Sequence, residues 1–296
     1  MTTNERPRLL ICGCGYTGTR LAREMSGDHE VLGCVSSPAS VDRLAAVGVR
    51  AVVADLDTAA DWPIEPRWLR GALVVHMVPP PADGADDPRT ARLLALLREP
   101  PARLAYLSTT GVYGDRQGDP VTETTPIQPS TARGRRRADA EAQIAEWSAQ
   151  RKVRWVVLRV PGIYGPGRLP IERLRRGEPV LDAADAGAGN RIHVDDLVAA
   201  CRLVMAAPNA AGIYNVGDGN PASTSEYFTR VAELAGLSVP PSIPLAEARN
   251  QISAQMLSFL TESRRVAIDR IRRELGFSPR YADLDAGIRA SLEAQI

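Results

Sequence analysis

Leu9-Leu10-Ile11-Cys12-Gly13-Cys14-Gly15-Tyr16-Thr17-Gly18-Thr19-Arg20-Leu21-Ala22 decides the fold. Its first four residues are a short apolar run that reads as a buried strand, and the residues from Thr19 onward read as a helix. G-x-G-x-x-G between a strand and a helix gives each glycine a task. Gly13 makes a tight turn, Gly15 lets the backbone approach a pyrophosphate, and Gly18 lets the helix pack closely on the strand. The N–H groups at the helix start then face phosphate oxygens. The stretch therefore predicts a dinucleotide site that includes Gly13, Gly15, Tyr16, Thr17 and Gly18.

Outward from this stretch, strand-like and helix-like segments alternate. Residues 31–35, 51–54, 72–78, 104–107 and 155–159 read as strands; 17–26, 41–47, 89–98 and 131–150 read as helices. Such alternation with apolar strands predicts a parallel sheet covered on both faces, with ligands at the carboxyl ends of its strands. The fold class is α/β: a Rossmann-like doubly wound parallel sheet over 1–165 and a smaller, mainly helical substrate-side region over 166–296. A segment near 191–217 is expected to return to the sheet domain. Residues 194–206 read as a helix, 213–216 as a strand and 239–244 as a rigid proline loop. Gly276, after Glu274-Leu275, reads as a helix C-cap.

Composition narrows the class. The 296 residues are 44% hydrophobic and 24% charged, as in an ordinary soluble globule. A formal net charge of +1 gives no global pull toward nucleic acid or an anionic membrane. No run of about 18 apolar residues is present, so no transmembrane helix is expected. The start MTTNERPR has no apolar signal-peptide core, and the cytoplasm is the default location. Cys12, Cys14, Cys34 and Cys201 read as small hydrophobes. Cys12 and Cys14 lack a matching second pair, so no metal site is expected.

Further motifs follow the glycine loop: Leu107-Ser108-Thr109-Thr110-Gly111-Val112-Tyr113-Gly114-Asp115, Arg159-Val160-Pro161-Gly162-Ile163-Tyr164-Gly165-Pro166-Gly167, Arg191-Ile192-His193-Val194-Asp195-Asp196-Leu197 and Tyr214-Asn215-Val216-Gly217. In order and spacing this set resembles the extended short-chain dehydrogenase/reductases, in particular the NAD-dependent epimerase/dehydratase family and its small atypical branch. The resemblance implies that Asp55-Leu56 contact adenine and that Val78-Pro79 pass near the cofactor ribose. It implies that Thr109 holds a substrate oxygen and that Ile163 and Tyr164 border the nicotinamide. Arg191 is a substrate-binding candidate, whereas His193 and Asp195 read as pinning a turn and capping the next helix. The resemblance also implies a small-molecule substrate and a homodimer formed through long helices such as 131–150.

One departure matters. The family's proton-transfer pair is Tyr-x-x-x-Lys at a helix start, within Tyr-Gly-x-Ser-Lys-x-x-x-Glu. Here the matching stretch is Arg133-Gly134-Arg135-Arg136-Arg137-Ala138-Asp139-Ala140-Glu141. Lys152 is the sole lysine and Ser148 stands four residues before it, so Tyr-x-x-x-Lys is absent throughout. Arg133, Arg137, Ala140, Ile144 and Trp147 share one helical stripe whose later members are apolar, so the stripe faces the sheet. Arginine, with a pKa of ~12.5 or above, makes a poor general acid or base, but it clamps anions well. Arg133 and Arg137 are therefore expected to hold an anionic group of the substrate and the cofactor respectively. Arg135 and Arg136 read as a solvated helix end. Tyr113, Tyr164 and Thr109 are the catalytic candidates, with His193 behind them.

The second strand runs into Ser36-Ser37, with no acid to repel a 2′-phosphate and with Arg43 one turn further on. That points to NADP rather than NAD. The first reading is thus an NAD(P)-binding oxidoreductase or epimerase-like enzyme that moves hydride on a small polar or sugar-like substrate. The alternative, permitted by the missing pair, is a dinucleotide-binding redox sensor or regulatory protein without turnover. Nucleic-acid binding would rest on the arginine cluster alone, against a near-zero net charge.

Overall fold

A computed structural model describes residues 6–294; residues 1–5, part of the stretch read above for a signal peptide, lie outside it. The apolar runs form β1 (Arg8–Cys12), β2 (Glu30–Val35), β3 (Ala51–Val53), β4 (Leu73–His76) and β5 (Arg103–Thr109). With strands Arg154–Val160 and Gly212–Asn215 they make a seven-stranded sheet. Its order is Gly212–Asn215, Arg154–Val160, β5, β4, β1, β2, β3. β1 pairs in parallel with β2 on one side and β4 on the other, placing Cys12 beside both Cys34 and His76. The pairs β2–β3 and β4–β5 are parallel too. The chain steps outward from β1 to β3 and then returns to β4, so the strand order reverses beside β1. In a doubly wound sheet that reversal opens the ligand crevice.

The helices of this layer are α1 (Tyr16–Met25), α2 (Pro38–Ala45), α3 (Pro66–Leu69), α4 (Pro88–Leu96) and α5 (Ala132–Arg151). Their ends follow local chemistry. Asp87 caps α4 by accepting from the N–H groups of Arg89 and Thr90. Thr131 caps α5 by accepting from Gly134 N–H, and Lys152 ends it in the left-handed region at φ 56°. Leu10, Val74, Leu93, Leu104, Tyr106, Ala140 and Ile144 lie in one buried cluster. Each large side chain sealed there contributes roughly 1.5–3 kcal/mol.

The described residues form two compact units. The first, the sheet unit, comprises 6–112, Pro129–Arg159 and Val198–Tyr214; the second comprises Tyr113–Gln128, Val160–Leu197 and 215–294. They interleave along the chain. The part of 191–217 that joins the sheet unit is Val198–Tyr214.

The second unit has short parallel pairs of its own: Gly162–Tyr164 with Arg191–His193, Val180–Leu181 with Ser242–Ile243, and Pro120–Val121 with Arg265–Val266. The proline stretch 239–244, read as a loop, thus supplies a two-residue strand. Gly276, at φ 68°, ends the helix Asp269–Leu275. Tyr164, Leu174, Phe228, Val231 and Ile288 lie in its core.

Candidate cofactor site

A cavity of about 440 Å³ opens in the sheet unit at the carboxyl ends of β1, β2, β3 and β4. Gly13, Gly15, Ser36, Asp55, Leu56, Val78 and Pro79, seven of the predicted cofactor residues, line it together. Tyr16, Thr17, Gly18 and Ser37 stand beside it without lining it. Thr17 is buried on α1, and the Tyr16 ring lies under the Arg20 guanidinium, 4.0 Å from its centroid. Ser37 shares a 3.0 Å hydroxyl contact with Ser40.

The three glycines divide their work in space. Gly13 has φ 82°, and a Cβ there would meet Val78 N at 2.7 Å. A Cβ at Gly18 would sit 3.1 Å from both Gly13 O and the Ile11 side chain, tighter than ordinary contact, so α1 packs closely on β1 at this glycine. At Gly15 a Cβ would meet nothing nearer than Gly13 O at 3.9 Å. Gly15 leaves open space at the start of α1, whose first turn holds no acidic residue. A negatively charged phosphate is favoured at such a position. The cradle fits a dinucleotide pyrophosphate.

Beyond β2, Arg43 reaches into the lining and donates from Nη2 to Ser40 Oγ at 2.6 Å. Among the described residues no carboxylate pairs with Arg43. Arg89 is different: Nε and Nη2 grip both oxygens of Asp57 at 2.6 and 2.5 Å, and Nη1 donates to Pro79 O at 2.9 Å. That guanidinium holds the Asp57 carboxyl below its usual range. Ser40, Asp57, Arg89, Cys14 and Cys34 line the cavity without having been predicted. Asp55-Leu56-Asp57 carried a signal, two acids at a strand end. Arg89 carried none, because nothing local marks where its side chain ends. Cys14, pushed up to about 12 by burial, keeps its proton.

The arginine block of α5 corrects one expectation. Arg136 is not solvated: it is 6% exposed, and its Nη1 donates to Gly84 O at 2.8 Å. Arg133 is exposed instead, and so is Arg135. Arg137 is half-buried and donates from Nη1 to the Tyr106 hydroxyl at 3.0 Å and to Leu107 O at 2.7 Å. It therefore sits at the carboxyl end of β5 but does not line the cavity. Behind it, Arg159 grips the Glu141 carboxylate, which also accepts the Ser108 hydroxyl at 2.5 Å. All three are buried.

The proton-donor candidates are mostly enclosed. Thr109 is half-buried, with Oγ1 accepting from Gly111 N–H at 3.1 Å. In the second unit Tyr113 is fully buried and donates its hydroxyl to Asn215 Oδ1 at 2.7 Å. Tyr164 is 3% exposed, and its hydroxyl has no hydrogen-bond partner among the described residues. Burial pushes that phenol well above its ordinary range. Ile163 is half-buried in the same strand.

His193 is buried as well, packed edge-on against Tyr164 at 5.2 Å. Its Nδ1 accepts the Asp195 N–H at 3.2 Å, so His193 itself caps the helix Val194–Ala206. Arg191 is buried, stacked over Tyr227, and donates to the carbonyls of Ala222 and Ser223.

Residues 9–217 match the model of the NAD dependent epimerase/dehydratase family. Protein YeeZ of Escherichia coli K12 is 32% identical over 182 residues, which span 61% of this chain and 59% of that protein. A functionally unknown conserved protein from Silicibacter pomeroyi superposes with a TM-score of 0.82 at 32% identity, covering 97% of this chain and 99% of that one. UDP-glucuronic acid 4-epimerase from Bacillus cereus, solved with UDP-glucuronic acid and NAD, superposes with a TM-score of 0.75 at 16% identity. That match covers 97% of this chain and 98% of the other, and at such identity it speaks for the fold alone.

Proposed function

This chain belongs to the NAD dependent epimerase/dehydratase family, and on that premise we propose that its sheet unit binds a nicotinamide dinucleotide, NADP in preference to NAD, for hydride chemistry on a small polar or sugar-like substrate. The observation that carries the proposal is the lining shared by Gly13, Gly15, Asp55, Leu56 and Val78 around the open space at Gly15. Gly15 and the start of α1 hold the pyrophosphate. Asp55 and Leu56 hold the adenine, and Val78 and Pro79 flank the ribose. Arg43, with Ser36 and Ser40, takes the 2′-phosphate, because it is the lining cation without a carboxylate partner among the described residues. When bound, the cofactor supplies the hydride donor or acceptor. Thr109, the least enclosed of the hydroxyl candidates, orients the substrate oxygen.

A second reading rests on the enclosure of Tyr113 and Tyr164 and on Arg137 standing where the family's lysine would be. With both of those phenols enclosed, the protein binds its cofactor as a sensor without turnover.

Calorimetric titration with NADPH and NADH tests the cofactor assignment. NADPH is expected to bind at least about tenfold more tightly, a difference of about 1.4 kcal/mol, and Arg43→Ala to erase the gap. Equal or tighter NADH binding by the wild type removes the NADP assignment. Hydride exchange into sugar nucleotides, followed by mass spectrometry with deuterated cofactor, then separates enzyme from sensor.

A further inference from the structure

Two loops wall the cavity of the sheet unit: Asp55–Asp57 after β3, and Val78–Pro79 after β4. They belong to different strands, and among the described residues no ladder joins them beyond the strand ends. One side chain does. Arg89, the second residue of α4, binds both oxygens of Asp57 with Nε and Nη2 and the carbonyl of Pro79 with Nη1. All three guanidinium nitrogens are engaged, two on one wall and one on the other. Lysine, whose three N–H donors share one nitrogen on a flexible stem, cannot make this planar fork.

The anchorage is built at both ends. Asp87 caps α4 through the Arg89 and Thr90 N–H groups, which fixes where the Arg89 side chain begins. The Asp87 N–H in turn donates to Asp139 on α5 at 2.7 Å. At the far end Asp57 N–H donates to Asp55 Oδ1 at 3.0 Å, so the turn that Arg89 grips also orients Asp55. Arg92, nearly one helical turn further along α4, donates to Leu56 O at 2.8 Å. The adenine wall is thus held from a single helix.

We infer that Arg89 is a positioning residue for the adenosine half of the cofactor, a guanidinium strap that sets the spacing between the loop carrying Asp55 and Asp57 and the loop carrying Val78 and Pro79. This rests on the reading that the cavity takes a dinucleotide. Arg89 does not act as a phosphate clamp, because Asp57 already neutralises it. It acts by preorganisation, holding the walls at binding width so that the ligand need not order them.

The test compares half-ligands. NADPH, 2′,5′-ADP and reduced nicotinamide mononucleotide are titrated into the wild type, Arg89→Met, Arg89→Lys, Asp57→Asn and the Arg89→Met/Asp57→Asn double variant. Arg89→Met is expected to weaken NADPH and 2′,5′-ADP by the same factor, about tenfold, with the mononucleotide unchanged. Arg89→Lys should recover little of the loss. The double variant should bind as the worse single variant does, since both substitutions cut one strap.

A merely structural role would weaken both half-ligands together and lower the melting temperature. If Arg89→Met does not fold, Asp57→Asn at an exposed carboxylate carries the same comparison. Wild-type binding of NADPH with Arg89→Met and Asp57→Asn within twofold of it overturns the strap and leaves the cofactor assignment standing. Failure of the wild type to bind any dinucleotide overturns both.

Discussion

The hydroxyl of Tyr164 lies so close over Gly287 that a Cβ at that glycine would sit 2.1 Å from it. Gly287 is buried within the helix Leu284–Glu293, where alanine would ordinarily be preferred by about 1 kcal/mol. Glycine is there because the tyrosine needs the space. Gly287→Ala is therefore expected to destabilise by about 1–3 kcal/mol rather than stabilise. Tyr164→Phe removes a buried hydroxyl that has no partner among the described residues. It keeps the ring contacts to His193 and Tyr227 at 5.2 and 5.7 Å. That variant should be neutral or more stable by about 1 kcal/mol, and it should relieve part of the Gly287→Ala loss. Denaturant melts of the two variants and their combination check this; a stabilised Gly287→Ala would mean that the contact is absent.

The buried trio Ser108, Glu141 and Arg159 fastens α5 to β5 and to the strand Arg154–Val160, and so holds Arg137 over Leu107 O. Truncating Glu141 leaves the Arg159 guanidinium buried without this carboxylate. Glu141→Ala is expected to lose about 3–5 kcal/mol, the usual cost of breaking a buried ion pair from one side. Ser108→Ala should lose only about 1–2 kcal/mol, one hydrogen bond to a charged acceptor. Urea midpoints measure both. A Glu141→Ala loss under 1 kcal/mol would show that the three side chains are not coupled as described.

The sequence foretold what local pattern controls. The glycine spacing allows the positive φ at Gly13 and the close packing at Gly18, and the residue types alone pointed to both. Apolar runs marked β1, β2, β4 and β5 to within a few residues, and the doubly wound order then brought Asp55 and Val78 to one cavity.

Arg136 shows the limit. It sits one residue from Arg135 and Arg137 in a run of charge, yet its fate is set by Gly84, 52 residues earlier. A helix face in a periodic pattern says which side chains share a direction, not which loop waits there. Arg89 is a second case, since its partners Asp57 and Pro79 become neighbours only through the sheet order. Tyr113 and Tyr164 are a third. Both are catalytic candidates by motif position, and only the packing around Asn215 and Gly287 shows that both phenols are enclosed.

Asp218 makes the last prediction, one of pH. It is 2% exposed; one oxygen accepts the Asn220 N–H at 2.8 Å, and Oδ2 has no partner among the described residues. Burial raises its pKa to about 7, although the nearby Arg191 guanidinium pulls the other way. In the unfolded chain the same carboxyl titrates near ~3.9. Between those values the folded state holds a proton that the unfolded state has released, so raising the pH favours unfolding. The contribution is fully present below about pH 4, falls away up to about pH 7 and is flat beyond. Its size is at most about 4 kcal/mol, three pKa units at about 1.4 kcal/mol each. Asp218→Asn, which has no charge to bury, should melt higher than the wild type at pH 8, and the difference should shrink steadily toward pH 4. Melting curves of the two proteins from pH 4 to pH 8 measure it, and a difference independent of pH would mean that Asp218 is ionised in the folded protein throughout.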